Sequence, residues 1–316
     1  MKFRTEIPLP SYPFRLDYHS KIYGIGSCFV DNLQQKFAFY RFQHKINDFG
    51  VIFNPASINT LVNRIAKQEF FTEKDIFQHQ NMWKSFDMHS SMNFSDKEQM
   101  LQRINKKLKE NYTFLRQAGL IIFTLGTAWV YRHKKTQKIV ANCHKVPGNE
   151  FEKILLSPSE IIDELNQLTG LISFHNPQAK ILFSISPVRH LKDGFVENQR
   201  SKAHLITAVH SVVDREKSFY FPSYEILMDD LRNYRFYDFD MIHPGLTAID
   251  YIWQIFQQSL IDHKAFALMK RLDRINKGLR HKPFNPDSEA YKEHINKITK
   301  EIKTLQKDYP WMNFDI

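Results

Sequence analysis

A serine attacks a carbonyl efficiently only when a base takes its proton and a further group orients that base. The 316-residue chain supplies these residue types in two distant places. Ser27 lies in Lys21-Ile22-Tyr23-Gly24-Ile25-Gly26-Ser27-Cys28-Phe29-Val30, and Asp240 and His243 lie in Asp240-Met241-Ile242-His243-Pro244. At a spacing of three, a compact turn can bring the carboxylate to one imidazole nitrogen. The other nitrogen is then free to accept a hydroxyl proton. Each fragment alone also fits a plain structural role, Ser27 as a helix cap and the D-x-x-H-P string as a turn. Cys28 is a competing nucleophile by type, but a small buried residue is the reading preferred for it.

The elements around Ser27 decide whether such chemistry has a place. Ile22, Tyr23 and Ile25 suit a buried strand, two glycines allow a tight turn, and Asp31 to Phe37 reads as an amphipathic helix. A serine at that junction faces unpaired helix N–H groups and the positive end of the dipole, which favour an oxyanion. Further on, Lys45 to Phe53 reads as extended, and Asn54-Pro55 opens a helix with Ile58, Leu61, Val62 and Ile65 as its apolar stripe. Residues 70–93 read as a loop-rich insertion carrying Trp83 and His89. Ser95-Asp96-Lys97-Glu98 looks like a capping box for a long helix to about Gln117.

Strands are expected at 119–125, ending at Gly126-Thr127, at 180–185, ending at Ser186-Pro187, and at 218–221. A hairpin from Trp129-Val130-Tyr131 back through 138–142, and helices at 159–175 and 198–213, lie between them. Strands separated by helices imply a mostly parallel sheet covered on both faces, with functional residues beyond the carboxyl ends of the strands. Ser27, Gly126 and Ser186 all fall at such ends. Arg271 to Lys307 reads as one or two charged helices divided around Pro283-Phe284-Asn285-Pro286, docked rather than coiled.

Composition is that of a globular protein, 42% hydrophobic and 25% charged, with 27 Phe to fill a core. No window approaches a transmembrane span and the N-terminus lacks an apolar stretch of signal-peptide length, so a cytoplasmic protein is expected. The two cysteines, Cys28 and Cys143, form no metal-ligand pattern, and the 14 histidines show no H-x-H or H-E-x-x-H spacing, so no metal and no cofactor is expected. Of the net charge of +10, half sits after His263, where twelve basic residues face seven acidic ones. Such a tail is more often a solvated helix face than a nucleic-acid site. Gly24-Ile25-Gly26 lacks the third glycine of a dinucleotide fingerprint.

Taken together these motifs resemble the GSCFA family, with Gly26-Ser27-Cys28-Phe29 as its signature and Val30 in place of the usual Ala. The resemblance continues through Asn54-Pro55, Ser85-Phe86-Asp87-Met88-His89-Ser90, Leu125-Gly126-Thr127-Ala128-Trp129-Val130-Tyr131 and Ala141-Asn142-Cys143-His144-Lys145. It ends with Ser186-Pro187-Val188-Arg189-His190, Phe221-Pro222-Ser223-Tyr224-Glu225 and the stretch from Asp240 to Trp253. It spans roughly residues 20–260 and stops short of the tail after Ala265. That family looks like a branch of the SGNH/GDSL hydrolases, which implies a three-layer α/β/α, flavodoxin-like, mostly parallel sheet. A hydrolase domain at 1–265 and a basic helical C-terminal extension at 266–316 are expected.

The resemblance implies Ser27 as nucleophile, His243 as general base and Asp240 as its orienting partner. It implies an oxyanion-hole N–H from Gly50, in Asp48-Phe49-Gly50. The superfamily's third block, G-x-N-D, stands here as Gly126-Thr127-Ala128-Trp129, so its asparagine is missing; such a loss typically costs about 100- to 1000-fold in rate. Asn142 and His144 are the proposed substitutes. His89, Trp129, His144, Arg189 and His190 are candidate substrate-binding residues, and Trp83 could join Trp129 in an aromatic wall. The implied activity is hydrolysis of a small-molecule or carbohydrate ester, with O-acetyl carbohydrate one option and neither membrane nor nucleic acid as partner. The alternatives are an O-acyltransferase using the same triad and a non-catalytic glycan- or anion-binding module. Retention of Ser27, Asp240 and His243 together argues against the last.

Overall fold

The computed structural model describes residues 4–314 except Pro286, so that one member of the expected break in the tail lies outside the described residues. The first unit is β1 (Lys21–Gly26), α1 (Cys28–Phe39) and β2 (Gln43–Ile46). Next come α2 (Pro55–Ala66), a hairpin of β3 (Phe77–His79) and β4 (Met82–Lys84), and α3 (Lys97–Leu115). β5 (Leu120–Leu125) is followed by β6 (Trp129–His133), β7 (Ile139–Val140) and β8 (Phe151–Leu155). The chain continues through α4 (Pro158–His175), β9 (Lys180–Ile185), α5 (Phe195–Val212) and β10 (Ser218–Phe221). A short α6 (Ser223–Glu225) runs into a π-helical turn at Ile226–Leu231. The last elements are α7 (Leu246–Leu260), α8 (Phe266–Arg280) and α9 (Glu289–Asp308).

Five strands form one parallel sheet in the order β10-β9-β5-β1-β2. Numbered only among themselves they run 2-1-3-4-5, the flavodoxin-like order, whose reversal point falls beside β1. Side chains alternate across a strand, and β5 sorts them accordingly. Ile121, Phe123 and Leu125 enter a core with α2 to α5, whereas Leu120 and Ile122 enter a second core with α1 and α7 to α9. The chain is a three-layer α/β/α protein with a helical C-terminal segment.

Several local expectations change. The extended stretch after Lys45 ends at Ile46, because Asn47 turns with φ +47° and Gly50 with φ +79°. The helix at 97–115 is capped by Asp96, whose Oδ1 accepts from Gln99 N–H at 2.7 Å, so Ser95 opens no capping box. The 70–93 insertion contains the β3–β4 hairpin, and the expected β6–β7 hairpin gains β8 along the other edge of β6. These strands are two to five residues long, too short to show a clear periodicity. Among the described residues no helix is long and apolar enough to cross a membrane.

The tail is docked. Met269, Leu272 and Ile275 of α8, and Ile298, Ile302 and Leu305 of α9, are buried in the same core as Phe37 of α1 and Phe256 of α7. A chain ending at Ala265 should therefore unfold at a clearly lower temperature, by roughly 10 °C or more, since each buried aliphatic side chain contributes about 1.5–3 kcal/mol. An unchanged thermal midpoint would show that this segment adds nothing to the core.

Parallel strands end in carbonyl groups that need partners. On α5, Lys202 is 1% exposed and its Nζ donates to Gly126 O and Ser186 O, each at 2.7 Å, just past the ends of β5 and β9. Burial pushes this ammonium from 10.5 down to about 7, with Cys28 pulling slightly the other way. Between those two values the folded chain binds fewer protons than the unfolded one, so folding gains stability as pH rises. The gain is ~1.4 kcal/mol per pH unit at most. Urea unfolding from pH 7 to 9 should show that slope in the wild type, and Lys202→Met should lose it.

Candidate active site

Ser27 sits where β1 gives way to α1. It is 1% exposed, its N–H donates to Thr124 O at 3.0 Å, and its Oγ accepts from Phe29 N–H at 3.2 Å as the cap of α1. The approach of β1 to β5 requires glycine: a Cβ on Gly26 would lie 2.5 Å from Thr124 O. Asn47 ties the turn together, with Oδ1 accepting from Gly26 N–H at 2.9 Å and Nδ2 donating to Asp31 Oδ1 at 2.7 Å. Burial raises the Cys28 thiol above its ordinary value, which keeps it protonated at neutral pH and a poor nucleophile.

Asp240 and His243 share a compact loop, with Asp240 Oδ2 2.6 Å from His243 Nδ1. The other carboxylate oxygen accepts from the N–H groups of Ile242 and His243, both at 2.9 Å. The His243 N–H, the imidazole and the Ile242 N–H together hold the Asp240 carboxyl down at about 2. Asp238 N–H donates to His243 O at 2.7 Å, and Gly245 N–H to Phe236 O at 2.8 Å. Arg189 pins the loop to the end of β9: its N–H donates to Ile242 O at 3.2 Å and its Nη1 to Met241 O at 3.0 Å. The Arg189 guanidinium also lies against the rings of Phe195, Tyr234 and Tyr237 at 5.3–5.8 Å. A cleft of about 280 Å³ opens there between Arg189, Arg232, Tyr234 and Tyr237. A larger cleft, about 910 Å³, lies between α1, α7 and α8 and includes none of Ser27, Asp240 and His243 among its lining residues.

The next residue, His190, completes the link to the strand ends. Its ring stacks on Phe53 with centroids 5.1 Å apart, and its Nε2 stands 3.1 Å from where a Gly126 Cβ would be. Burial, Lys202 and His243 push it down to about 3, so the ring is neutral. Its Nε2 is buried and has no hydrogen-bond partner among the described residues. Among the described residues no hydrogen bond joins Ser27 Oγ to His243; Ser27 follows the carboxyl end of β1, and the His243 loop is tied through Arg189 to the segment after β9.

Other expected residues fall elsewhere. The N–H of Gly50 donates to Asn47 O at 2.7 Å and closes a turn, so it is already engaged and not a free oxyanion donor. A Cβ on Gly50 would meet His89 Cβ at 2.3 Å, which explains the glycine as packing. His89 accepts from Ser91 N–H through Nδ1 at 3.2 Å, which places its own proton on Nε2, and it feels the charge of Asp31. His144 is 3% exposed and donates from Nε2 to Ser85 O at 2.7 Å, beside the stacked rings of Phe77 and Phe86. Asn142 Oδ1 accepts from His144 N–H at 2.7 Å. Both residues brace the 85–89 loop, and neither makes a hydrogen bond to Ser27. Trp129 donates from Nε1 to Glu197 O at 3.3 Å under Lys153, while Trp83 packs on the edge of the core. An aromatic wall is not formed by this pair through any ring contact.

Asn47 and Lys202 were missed from the sequence. Asn47 sits directly before Asp48-Phe49-Gly50, so a turn asparagine beside that block was an available signal. A lysine inside an amphipathic helix reads as solvated, and nothing in its neighbours marks Lys202 as buried. Among the described residues no group of three or more His, Cys, Asp or Glu is placed to hold a metal ion.

Solved structures similar to the chain include a carbohydrate esterase family 3 protein from Talaromyces cellulolyticus, 8% identical with a TM-score of 0.37, covering 80% of this chain and 99% of the other. Another is an acetyl xylan esterase from the rumen bacterium Butyrivibrio proteoclasticus, 13% identical with a TM-score of 0.35, covering 86% of this chain and 66% of the other. No curated protein gives a significant match to the sequence. A model of the GSCFA domain protein C-terminal domain matches residues 272–315, so the tail also carries a recognised pattern, beyond the expected limit near Ala265. The GSCFA family model itself matches residues 21–256, which hold Ser27, Asn47, Lys202, Asp240 and His243, and the chain belongs to the GSCFA family.

Proposed function

We propose that the protein is a serine hydrolase acting on esters, with O-acetyl groups on carbohydrate as the substrate class to test first. The observation that carries this reading is the Asp240–His243 pair, held at 2.6 Å by a rigid loop at the strand ends where Ser27 caps α1. Asp240 stays ionised through the neutral range, so it fixes the proton of His243 on Nδ1 and leaves Nε2 as the base. Ser27 Oγ bonds to the ester carbonyl carbon while its proton passes to His243. The carbonyl π electrons move to oxygen, giving a tetrahedral oxyanion. Its collapse expels the alkoxide, which takes the proton back from His243 and leaves an acyl-Ser27. Water then attacks by the same route and releases the acid; a sugar hydroxyl in place of water would make the enzyme an acyltransferase. Substrate binding has to bring Ser27 Oγ and His243 into hydrogen-bond contact, and catalytic bonds of this type are commonly looser in the free protein.

Labelling with a fluorophosphonate probe tests the nucleophile. The wild type should label and Ser27→Ala should not. A folded wild type that stays unlabelled would favour the binding module, in which Ser27 is only a cap. Replacement of Asp240 by Asn keeps an oxygen for the two backbone N–H groups but presents N–H to His243 Nδ1 and imposes the wrong tautomer. Asp240→Asn should therefore leave the thermal midpoint nearly unchanged and lower kcat on an acetyl ester by up to about 10⁴-fold. The wild-type profile should show no ionisation of Asp240 above about pH 4, because its carboxyl titrates near 2.

A further inference from the structure

An oxyanion formed at Ser27 needs several hydrogen-bond donors aimed at it, and most backbone donors around it are engaged, Phe29 N–H on Ser27 Oγ and Val30 N–H on Ser27 O. The Ser27 N–H serves the sheet through Thr124 O, and the Gly50 N–H closes its own turn on Asn47 O. Ala128 stands where an asparagine side chain would donate, and its N–H goes to Ser201 Oγ at 2.7 Å. Few backbone donors are left, and a side chain is needed to complete the set. From these contacts we infer that His190 supplies the oxyanion donor, through Nε2–H, on the β5 side of Ser27. This rests on the serine-hydrolase reading above.

Four observations place it there. The register of β1 on β5 pairs Gly26 with Thr124, so Gly126 lies one step beyond the level of Ser27. His190 Nε2 overhangs Gly126, where a side chain at that position would exclude it. Stacking on Phe53 and a hydrogen bond from His190 N–H to Asn198 Oδ1 at 2.8 Å fix the ring and its backbone. Nε2 is buried without a partner, and a polar group left so is costly unless a ligand completes it. Neutrality suits the role: the ring can donate one N–H but does not titrate as a competing acid near pH 7. His89 is the other ring near the site, but it leans on Gly50 and Asp31, on the β2 side. Lys202 holds the carbonyls of Gly126 and Ser186 from below, which keeps the strand end beneath His190 in place.

The test uses the full chain, p-nitrophenyl acetate and three variants. His190→Ala should lower kcat by about 100- to 1000-fold with KM changed only slightly, as for loss of one oxyanion donor. The glutamine amide nitrogen reaches the position of Nε2 and that of asparagine falls short of it. His190→Gln should thus recover about tenfold or more of the loss, and His190→Asn should not. Thermal unfolding confirms that each variant folds; if His190→Ala does not, the Gln and Asn pair carries the comparison. An unchanged kcat in folded His190→Ala overturns the assignment, as does an equal fall in all three variants with KM rising in step, which marks a binding or packing role. Loss of kcat in His89→Ala with His190→Ala unaffected would move the role to His89. A wild type that neither hydrolyses the ester nor labels at Ser27 sinks the hydrolase reading, and this assignment with it.

Discussion

Parallel strands that stop side by side leave their last carbonyls without the ladder that served the rest, and a buried end needs donors from elsewhere. Here the donor is one lysine side chain. Lys202 reaches from α5 to Gly126 O and Ser186 O and so ties β5 to β9 where the sheet meets the candidate site. Everything placed at that edge depends on this tie. Gly126 sets the floor under His190, Ser186 begins the segment that carries Arg189, and Arg189 holds the loop of Asp240 and His243. Burial disfavours the charged form of this amine, which lowers it to about 7, and the compensating gain is two satisfied carbonyls at the edge that carries Ser27.

Ser27 and His243 are held by different kinds of structure. Ser27 is buried at a strand–helix junction, locked by Gly26 against Thr124 and by the Asn47 bridge to Asp31. His243 is about half exposed, on a loop that is stiff because its own backbone N–H groups close on Asp240 and because Arg189 holds two of its carbonyls. On the loop side Phe239, Met241 and Leu246 stand in solvent, whereas Ser27 on the strand side is 1% exposed.

The legible part of the molecule is the part written in contiguous runs. Ile22 to Ile25, Leu120 to Phe123 and Ile181 to Phe183 announce buried strands, and the turn residues after them mark the edge where chemistry is found. The D-x-x-H spacing contains its own geometry, because three residues are enough to close the turn that joins Asp240 to His243. His144 shows the opposite case. Its neighbours Asn142 and Cys143 give no hint that the stacked rings of Phe77 and Phe86, about sixty residues away, lie against it. The family resemblance implies an oxyanion donor at Gly50, yet its φ of +79° and the close approach of His89 account for the glycine. Lys202 is illegible for a physical reason: burial of a lysine is decided by carbonyls on two strands distant in sequence, and no local pattern encodes them.

The packing of α1 also sets an order of assembly. α1 begins just after Ser27, and at its other end Phe37 meets Trp253 and Phe256 edge-on, at 5.4 and 5.6 Å. Leu16, just ahead of β1, pairs with Ile261. A ribosome adding about 5–20 residues per second reaches these partners tens of seconds after α1 has emerged. Through that interval the segment carrying Ser27 exists without its outer wall. The earliest-made part of the candidate site is thus among the last to become fixed, and the nascent chain must keep that helix face shielded until α7 arrives.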